Sequence, residues 1–113
     1  MKRVEAFIRI NKLDEVKQAL EDAGAFGLSV EQVRGYGTQL GRTDKYRGST
    51  YAVNLLPKLK IEVVVSDDDL EAAVKAIVST SQTGEIGDGK IFISEVIEAI
   101  RIRTGETGDA ALS

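Results

Sequence analysis

Twice in this chain an alternating apolar run gives way at once to an apolar stripe at helical spacing, and this repeated change of period most limits the folds open to it. In "VEAFIRI", Val4, Ala6, Ile8 and Ile10 fall on one face and Glu5, Phe7 and Arg9 on the other, the period of a half-buried strand. Leu13, Val16, Leu20 and Ala23 then recur at helical spacing, with Asn11 placed near the N-cap and Gly24 as a C-terminal stop. "LSVEQVRGYG", Leu28 to Gly37, returns to β-like composition until its glycines end it. The pattern then repeats. From Leu59, "LKIEVVV" lines up Leu59, Ile61, Val63 and Val65, Ser66 and Asp69 offer a capping box, and Leu70, Val74, Ile77 and Val78 form a second helical stripe. After the glycine-rich "TGEIGDGK", the run "IFISEVIEAIRIR" supplies at least one more strand.

The predicted order is β-α-β, a long loop, then β-α-β. With right-handed crossovers this is the α+β, ferredoxin-like βαββαβ sandwich, both helices on one face of the sheet. The other face, carrying Phe7, Val64 and Phe92 among Arg9, Lys60 and Glu62, must meet water or a partner, and its partly apolar character points to self-association. With 113 residues the chain is expected to be one domain, residues 1–113. About twenty residues between the second and third strands, 37–56, show no regular pattern; loops of that length are usually functional or disordered.

Composition removes several function classes. The chain has no cysteine and no histidine, so disulfides, the usual zinc, copper and haem ligands, and triads built on imidazole or thiolate are all excluded. A net charge of −3 argues against a surface that binds nucleic acid directly. No apolar run approaches the roughly 18 residues of a membrane span, and the N-terminus alternates where a signal peptide would be continuously apolar, so a soluble, cytoplasmic protein is expected.

Anion-binding chemistry is concentrated in "TGEIGDGKI", Thr83 to Ile91. Gly84, Gly89 and Lys90 reproduce the spacing G-x-x-x-x-G-K, but Ile91 stands where a Walker A loop needs Ser or Thr, and a strand follows where it needs a helix. The P-loop reading therefore fails. Glycines still let successive amides turn toward one point as a nest, beside the charge of Lys90. In "RIRTG", Arg101 and Arg103 stand two residues apart, on one face if that piece is extended. Lys90, Arg101 and Arg103 converging on a nest would suit a nucleotide or polyphosphate. The same residues also fit a tight helix-to-strand connection and a solvated edge strand. "SDDDLE" reads as helix capping, and no spacing of acids nominates a general acid and base pair; the sequence offers no catalytic machinery.

At "YRGSTY", taken with "TGEIGDGKIF" and "IRIRTGE", the chain closely resembles the PII nitrogen-regulatory signal-transduction proteins. "FIRINKLDEVKQAL", "VRGYG" and "LPKLKIEVVV" extend the resemblance over nearly the whole length. It implies a homotrimer with clefts between subunits that bind ATP or ADP, Mg²⁺ with the ATP phosphates, and 2-oxoglutarate as effector. It implies also a T-loop, about residues 37–56, that contacts nitrogen-metabolism enzymes, an ammonium channel or regulatory proteins. Membrane contact would come only through a channel partner. By position, the resemblance assigns Ser29, Gly37, Thr38, Gln39, Glu62, Val64, Gly87, Asp88, Gly89, Lys90, Arg101 and Arg103 to the nucleotide site. Gln39 would help hold Mg²⁺, and Gln39, Lys58 and Gly87 would meet 2-oxoglutarate. Tyr51 stands where relatives are uridylylated or adenylylated, and Ser49 where cyanobacterial relatives are phosphorylated.

The chain departs from the family where it commonly reads G-[FY]-G-R-Q-K-G. In "GYGTQLG", Thr38 and Leu40 replace cations; Thr38 can donate a hydrogen bond but cannot neutralise phosphate charge. "RINKL" also lacks the proline usual after Arg9. The expected function is a non-enzymatic sensor of adenylate state and 2-oxoglutarate. The alternatives are a paralogue with altered effector specificity and a slow ATPase on the same cleft.

Overall fold

The computed structural model describes residues 1–35 and 55–113. Gly37, Thr38, Gln39, Leu40, Ser49 and Tyr51 lie outside the described residues. The elements are β1 (Lys2–Ile8), α1 (Leu13–Asp22), β2 (Ser29–Gly35), β3 (Leu56–Val65), α2 (Leu70–Ser81) and β4 (Lys90–Glu95), with short 3₁₀ turns before each helix and at Gly108–Leu112. The sheet order is β2-β3-β1-β4 with every neighbouring pair antiparallel, the topology of the ferredoxin-like fold.

The two changes of period fold as predicted, and the strand alternation decides which face is buried. Val4, Ala6 and Ile8 of β1 and Leu59, Ile61, Val63 and Val65 of β3 point into a core closed by Val16 and Leu20 of α1 and Ala73 and Ile77 of α2. Each fully buried isoleucine or leucine there contributes roughly 1.5–3 kcal/mol of transfer free energy.

Several local expectations need correction. β1 ends at Ile8, not Ile10: the chain turns at Arg9 into a 3₁₀ segment, Ile10–Lys12, and leaves Ile10 exposed. Asn11 therefore sits inside that turn and caps nothing; α1 begins at Leu13 behind Lys12. Gly24 does follow the helix end, at φ +84°. Ser66 precedes a second 3₁₀ turn, Asp67–Asp69, and its hydroxyl donates to the Asp69 carboxylate at 3.1 Å, so the pair meet without making a reciprocal capping box. In α2 the buried stripe is Ala73, Ile77 and Ser81, with Leu70 partly covered; Val78 is exposed. β3 starts at Leu56, earlier than its alternation showed, because Pro57 interrupts the pattern. Pro57 pairs with Arg34 of β2, and the register with β1 begins only at Leu59, so the proline stands where the strand has a neighbour on one side.

Candidate functional site

The face of the sheet away from the helices is a grid fixed by the strand register. Ser29, Glu62, Glu5 and Phe92 stand in one row across β2, β3, β1 and β4; Glu31, Lys60, Phe7 and Lys90 form the next. Within it Lys60 pairs with Glu5 at 3.3 Å and reaches Glu31 at 4.0 Å, Arg3 lies 3.7 Å from Glu62, and the rings of Phe7 and Phe92 meet edge to face at 6.1 Å. The register thus brings Phe7, Val64, Phe92, Lys60 and Glu62 to one surface, as the alternation predicted for the mixed face, and adds Ser29 and Lys90 to it. Arg9 is the exception. Lying beyond the end of β1, it turns toward the loop between α2 and β4.

That loop, residues 82–89, is organised around one of its own carboxylates. The Asp88 carboxylate accepts hydrogen bonds from the amides of Thr83 (2.8 Å) and Gly84 (2.9 Å) and from the Thr83 hydroxyl (2.5 Å), while Arg9 lies 3.4 Å away. The Thr83 bonds, assisted by Gly84 and Arg9, hold the acid well below the usual carboxylate range. The Thr83 and Gly84 amides, candidates for an anion nest, are therefore already turned onto an anion supplied by the chain itself. What remains for a ligand is the segment from Gly87 to Lys90. Gly87 and Gly89 adopt φ of +107° and +102°, and a Cβ on Gly89 would stand 1.6 Å from the Phe7 carbonyl oxygen. Only glycine lets the loop close this tightly on β1.

Two cations hold adjacent carbonyls of the loop. Arg9 Nη2 donates to Ile86 O at 3.0 Å and Lys58 Nζ to Gly87 O at 2.7 Å. Lys58 is partly buried, and desolvation followed by the nearby Arg9 charge lowers its pKa, with Asp88 acting weakly the other way. A lysine in this state gains from an arriving anion. Of the residues the resemblance assigned, Lys58 thus meets the loop that carries Gly87, Asp88 and Gly89 and leads into Lys90. An open cleft of about 480 Å³ adjoins Asp88 and Gly89, between α2 and β4; Val74, Ile77, Ile91 and Ile93 line it, which suits apolar atoms better than phosphates.

Arg101 and Arg103 stand elsewhere. The segment after β4 is not extended, as their shared face would require: Ile100 bridges Thr107, the Arg101 amide donates to Glu106 O at 2.8 Å and the Gly105 amide to Arg101 O at 2.7 Å, which makes a tight reversal. The Arg101 guanidinium pairs with Glu106 and donates to the carbonyls of Ala110 (3.2 Å) and Ser113. Among the described residues neither arginine donates to an acceptor of residues 82–90; the partners of Arg101 are Glu106, Ala110 and Ser113. Beside them Ile97, Ile100 and Ile102 are 97%, 64% and 99% exposed, far beyond what an isolated strand edge normally shows.

The family model described as "Nitrogen regulatory protein P-II" matches residues 1–106. This chain belongs to the P-II family. A nitrogen regulatory protein P-II of Cereibacter sphaeroides is 63% identical over 112 residues, covering 99% of this chain and 100% of that protein. Nitrogen regulatory protein P-II 2 of Methanothermobacter thermautotrophicus is 58% identical over 99% of this chain and 97% of its own length. The P-II protein of Klebsiella oxytoca is 52% identical over 99% of this chain and 100% of its own. Membership places the chain among the regulators of nitrogen metabolism. No helix among the described residues is long and apolar enough to cross a membrane.

Sequence reasoning passed over Arg9 and Thr83. Arg9 was assigned to the sheet face by strict alternation, which cannot register that the strand ends one residue before it. Thr83 had a usable signal: an acid five residues on, between two glycines, is well spaced to fold back onto the first amides of its own loop.

Proposed function

We propose that this P-II protein is a non-enzymatic sensor that binds ATP or ADP, and 2-oxoglutarate in the presence of MgATP, and signals through residues 37–56 to nitrogen-metabolism partners. The observation that carries this reading is the loop at Gly87–Lys90, a backbone turn held against two sheet strands, with Lys90 entering β4 and the partly desolvated Lys58 resting on its Gly87 carbonyl. Gly87, Gly89 and Lys90 supply amides and a fixed charge for phosphates, while Val64, Glu62 and Ser29 offer the neighbouring sheet face. Asp88 contributes by shaping the loop, since its carboxylate is spent on Thr83 and Gly84.

The separation of Arg101 and Arg103 from that loop supports a cleft completed by a second subunit. Three isoleucines exposed beside the arginines supply the apolar surface on which another copy would seat, and a homotrimer satisfies both needs at once. Magnesium would be held by the ATP phosphates with Gln39, and would neutralise part of their charge. An arriving dicarboxylate would find Lys58 already short of solvation, with Gly87 and Gln39 as further contacts. Each ligand would shift the signalling loop by its differential affinity for two arrangements. Thr38 and Leu40 bear on how ATP and ADP are told apart, and Tyr51 and Ser49 are the positions for covalent modification.

The hydrolytic alternative needs a base to activate water. Asp88, the acid of this loop next to Lys90, is held ionised and fully engaged, which makes it a poor proton acceptor. Calorimetry tests the proposal: ATP and ADP should each bind with 1:1 stoichiometry per chain and compete, and 2-oxoglutarate should bind only when MgATP is present. Absence of binding by both nucleotides overturns the reading. Binding of nucleotide without any 2-oxoglutarate synergy would instead favour a paralogue with a changed effector.

A further inference from the structure

We propose that Glu106 is a built-in competitor of the nucleotide for Arg101, so that a phosphate group binding this arginine must take it from a carboxylate of the same subunit. The inference rests on the nucleotide reading above and deepens it by naming what holds the arginine before a ligand arrives. Glu106 is brought to Arg101 by the backbone itself. The Arg101 amide donates to the Glu106 carbonyl at 2.8 Å and the Gly105 amide to the Arg101 carbonyl at 2.7 Å, and Gly105, at φ +75°, lets the chain reverse between them. Within this reversal the Thr104 hydroxyl donates to Glu106 Oε1 at 2.8 Å and accepts the Glu106 amide at 3.2 Å. Arg101 pairs with that same Oε1, so the carboxylate is held in place from a second side.

Arg101 is therefore spoken for on both arms of its fork. Nη1 donates to Glu106, and Nη2 donates to the carbonyls of Ala110 (3.2 Å) and Ser113. A guanidinium binds carboxylate and phosphate by the same planar geometry, so the two anions exclude each other at Nη1. The carbonyls of the C-terminal turn are neutral and leave the charge of the arginine uncompensated; Glu106 is the partner that compensates it. The apparent affinity for a nucleotide then falls by the fraction of Arg101 that is released from Glu106. Both side chains keep some exposure to water, where ion pairs are weak, so the hold is modest and reversible. It lowers affinity without closing the site.

Calorimetric titration of ATP into the full-length protein and its charge variants tests the proposal. Glu106→Gln keeps the shape of the side chain and removes its charge, and should tighten ATP about two- to fivefold, the range expected for releasing a surface ion pair. Added salt should narrow the gap between this variant and the unsubstituted protein, because salt screens the pair in the latter. Asp109→Asn removes a charge from the same C-terminal segment without touching Arg101, and should leave the affinity as it was. In an Arg101→Gln background, Glu106→Gln should bring no gain. Weaker binding by a folded Glu106→Gln protein would overturn the proposal, since Glu106 would then support Arg101 for the ligand. So would an unchanged affinity, an equal gain in Asp109→Asn, or a gain that persists without Arg101. If the unsubstituted protein bound neither ATP nor ADP, the nucleotide reading itself would fall and this proposal with it, a result distinct from each of the others.

Discussion

The two glycine-bearing segments of this protein, residues 82–89 and 97–108, are built on opposite terms. In the first, the groups that shape the loop are answered from within the chain: Asp88 by Thr83, Gly84 and Arg9, the Ile86 carbonyl by Arg9, the Gly87 carbonyl by Lys58. In the second, Arg101 is answered locally by Glu106 and carbonyls of the C-terminal turn, but Ile97, Ile100 and Ile102 are left in water. One segment is ready before anything arrives; the other is incomplete without something to cover it. Preorganised binding groups cost no reordering when a ligand comes, whereas exposed apolar surface of this kind is the usual mark of an interface.

The sharpest way to break the first segment is at its tightest contact. Gly89→Ala would force a Cβ against the Phe7 carbonyl at a φ that alanine avoids, and should cost about 2–4 kcal/mol of stability in urea unfolding together with most nucleotide binding. The same substitution at Gly105, where a Cβ meets nothing within 4 Å, should cost only about 1 kcal/mol, from φ alone.

The second segment should respond differently. Ile102→Ser removes an isoleucine that makes no use of its own chain's core, so the unfolding of an isolated subunit should hardly change. Its loss should appear in assembly, as about 1.5–3 kcal/mol of association free energy per subunit contact, read by sedimentation as a shift toward smaller species at low concentration. Unchanged sedimentation would remove the interface role of these isoleucines.

Proton uptake sharpens the contrast further. Lys58 is held below the ordinary lysine value in the free protein, chiefly by desolvation, so its charged form is disfavoured there and the folded state gains as pH rises through the lowered value. An anion at Lys58 reverses that shift. Binding of 2-oxoglutarate with MgATP should therefore take up protons in the alkaline window between the lowered and the ordinary pKa, and weaken as pH rises through it; calorimetry in buffers of different ionisation enthalpy measures this. The smallest effect belongs to Glu106→Gln. It removes a partner of Arg101 on the surface, and should change stability by no more than about 1 kcal/mol in thermal unfolding.

Much of the fold could be read along the chain because burial on a sheet has period two and on a helix 3.6. Val4, Ala6 and Ile8, or Leu59, Ile61, Val63 and Val65, announce their shared face wherever they are placed, and the repeated change of period leaves few topologies for them. Element ends were less legible. Asn11 had the right side chain for a cap but sits within a 3₁₀ turn, and Ile10 continued an alternation that the backbone had already left. Capping is decided by local backbone angles, which neighbouring elements set. The site divided in the same way. The glycines and Lys90 of this loop could be chosen from the sequence pattern, and the family resemblance named Asp88 and Lys58; nothing in the sequence pattern said that Lys58 would rest on Gly87, twenty-nine residues away.

The sequence by itself determined which residues are apolar, at what period, and that anion-binding types gather near Gly87 and Arg101. Side-chain chemistry and periodicity are local properties, and they survive without coordinates. Only the tertiary structure decided that Asp88 would fill the first amides of its loop, that Arg9 would leave the sheet face to hold it, and that Arg101 would turn back on its own segment. These outcomes depend on where separate elements end and what they then face, a competition among donors and acceptors that is settled only once the sheet has brought them within reach.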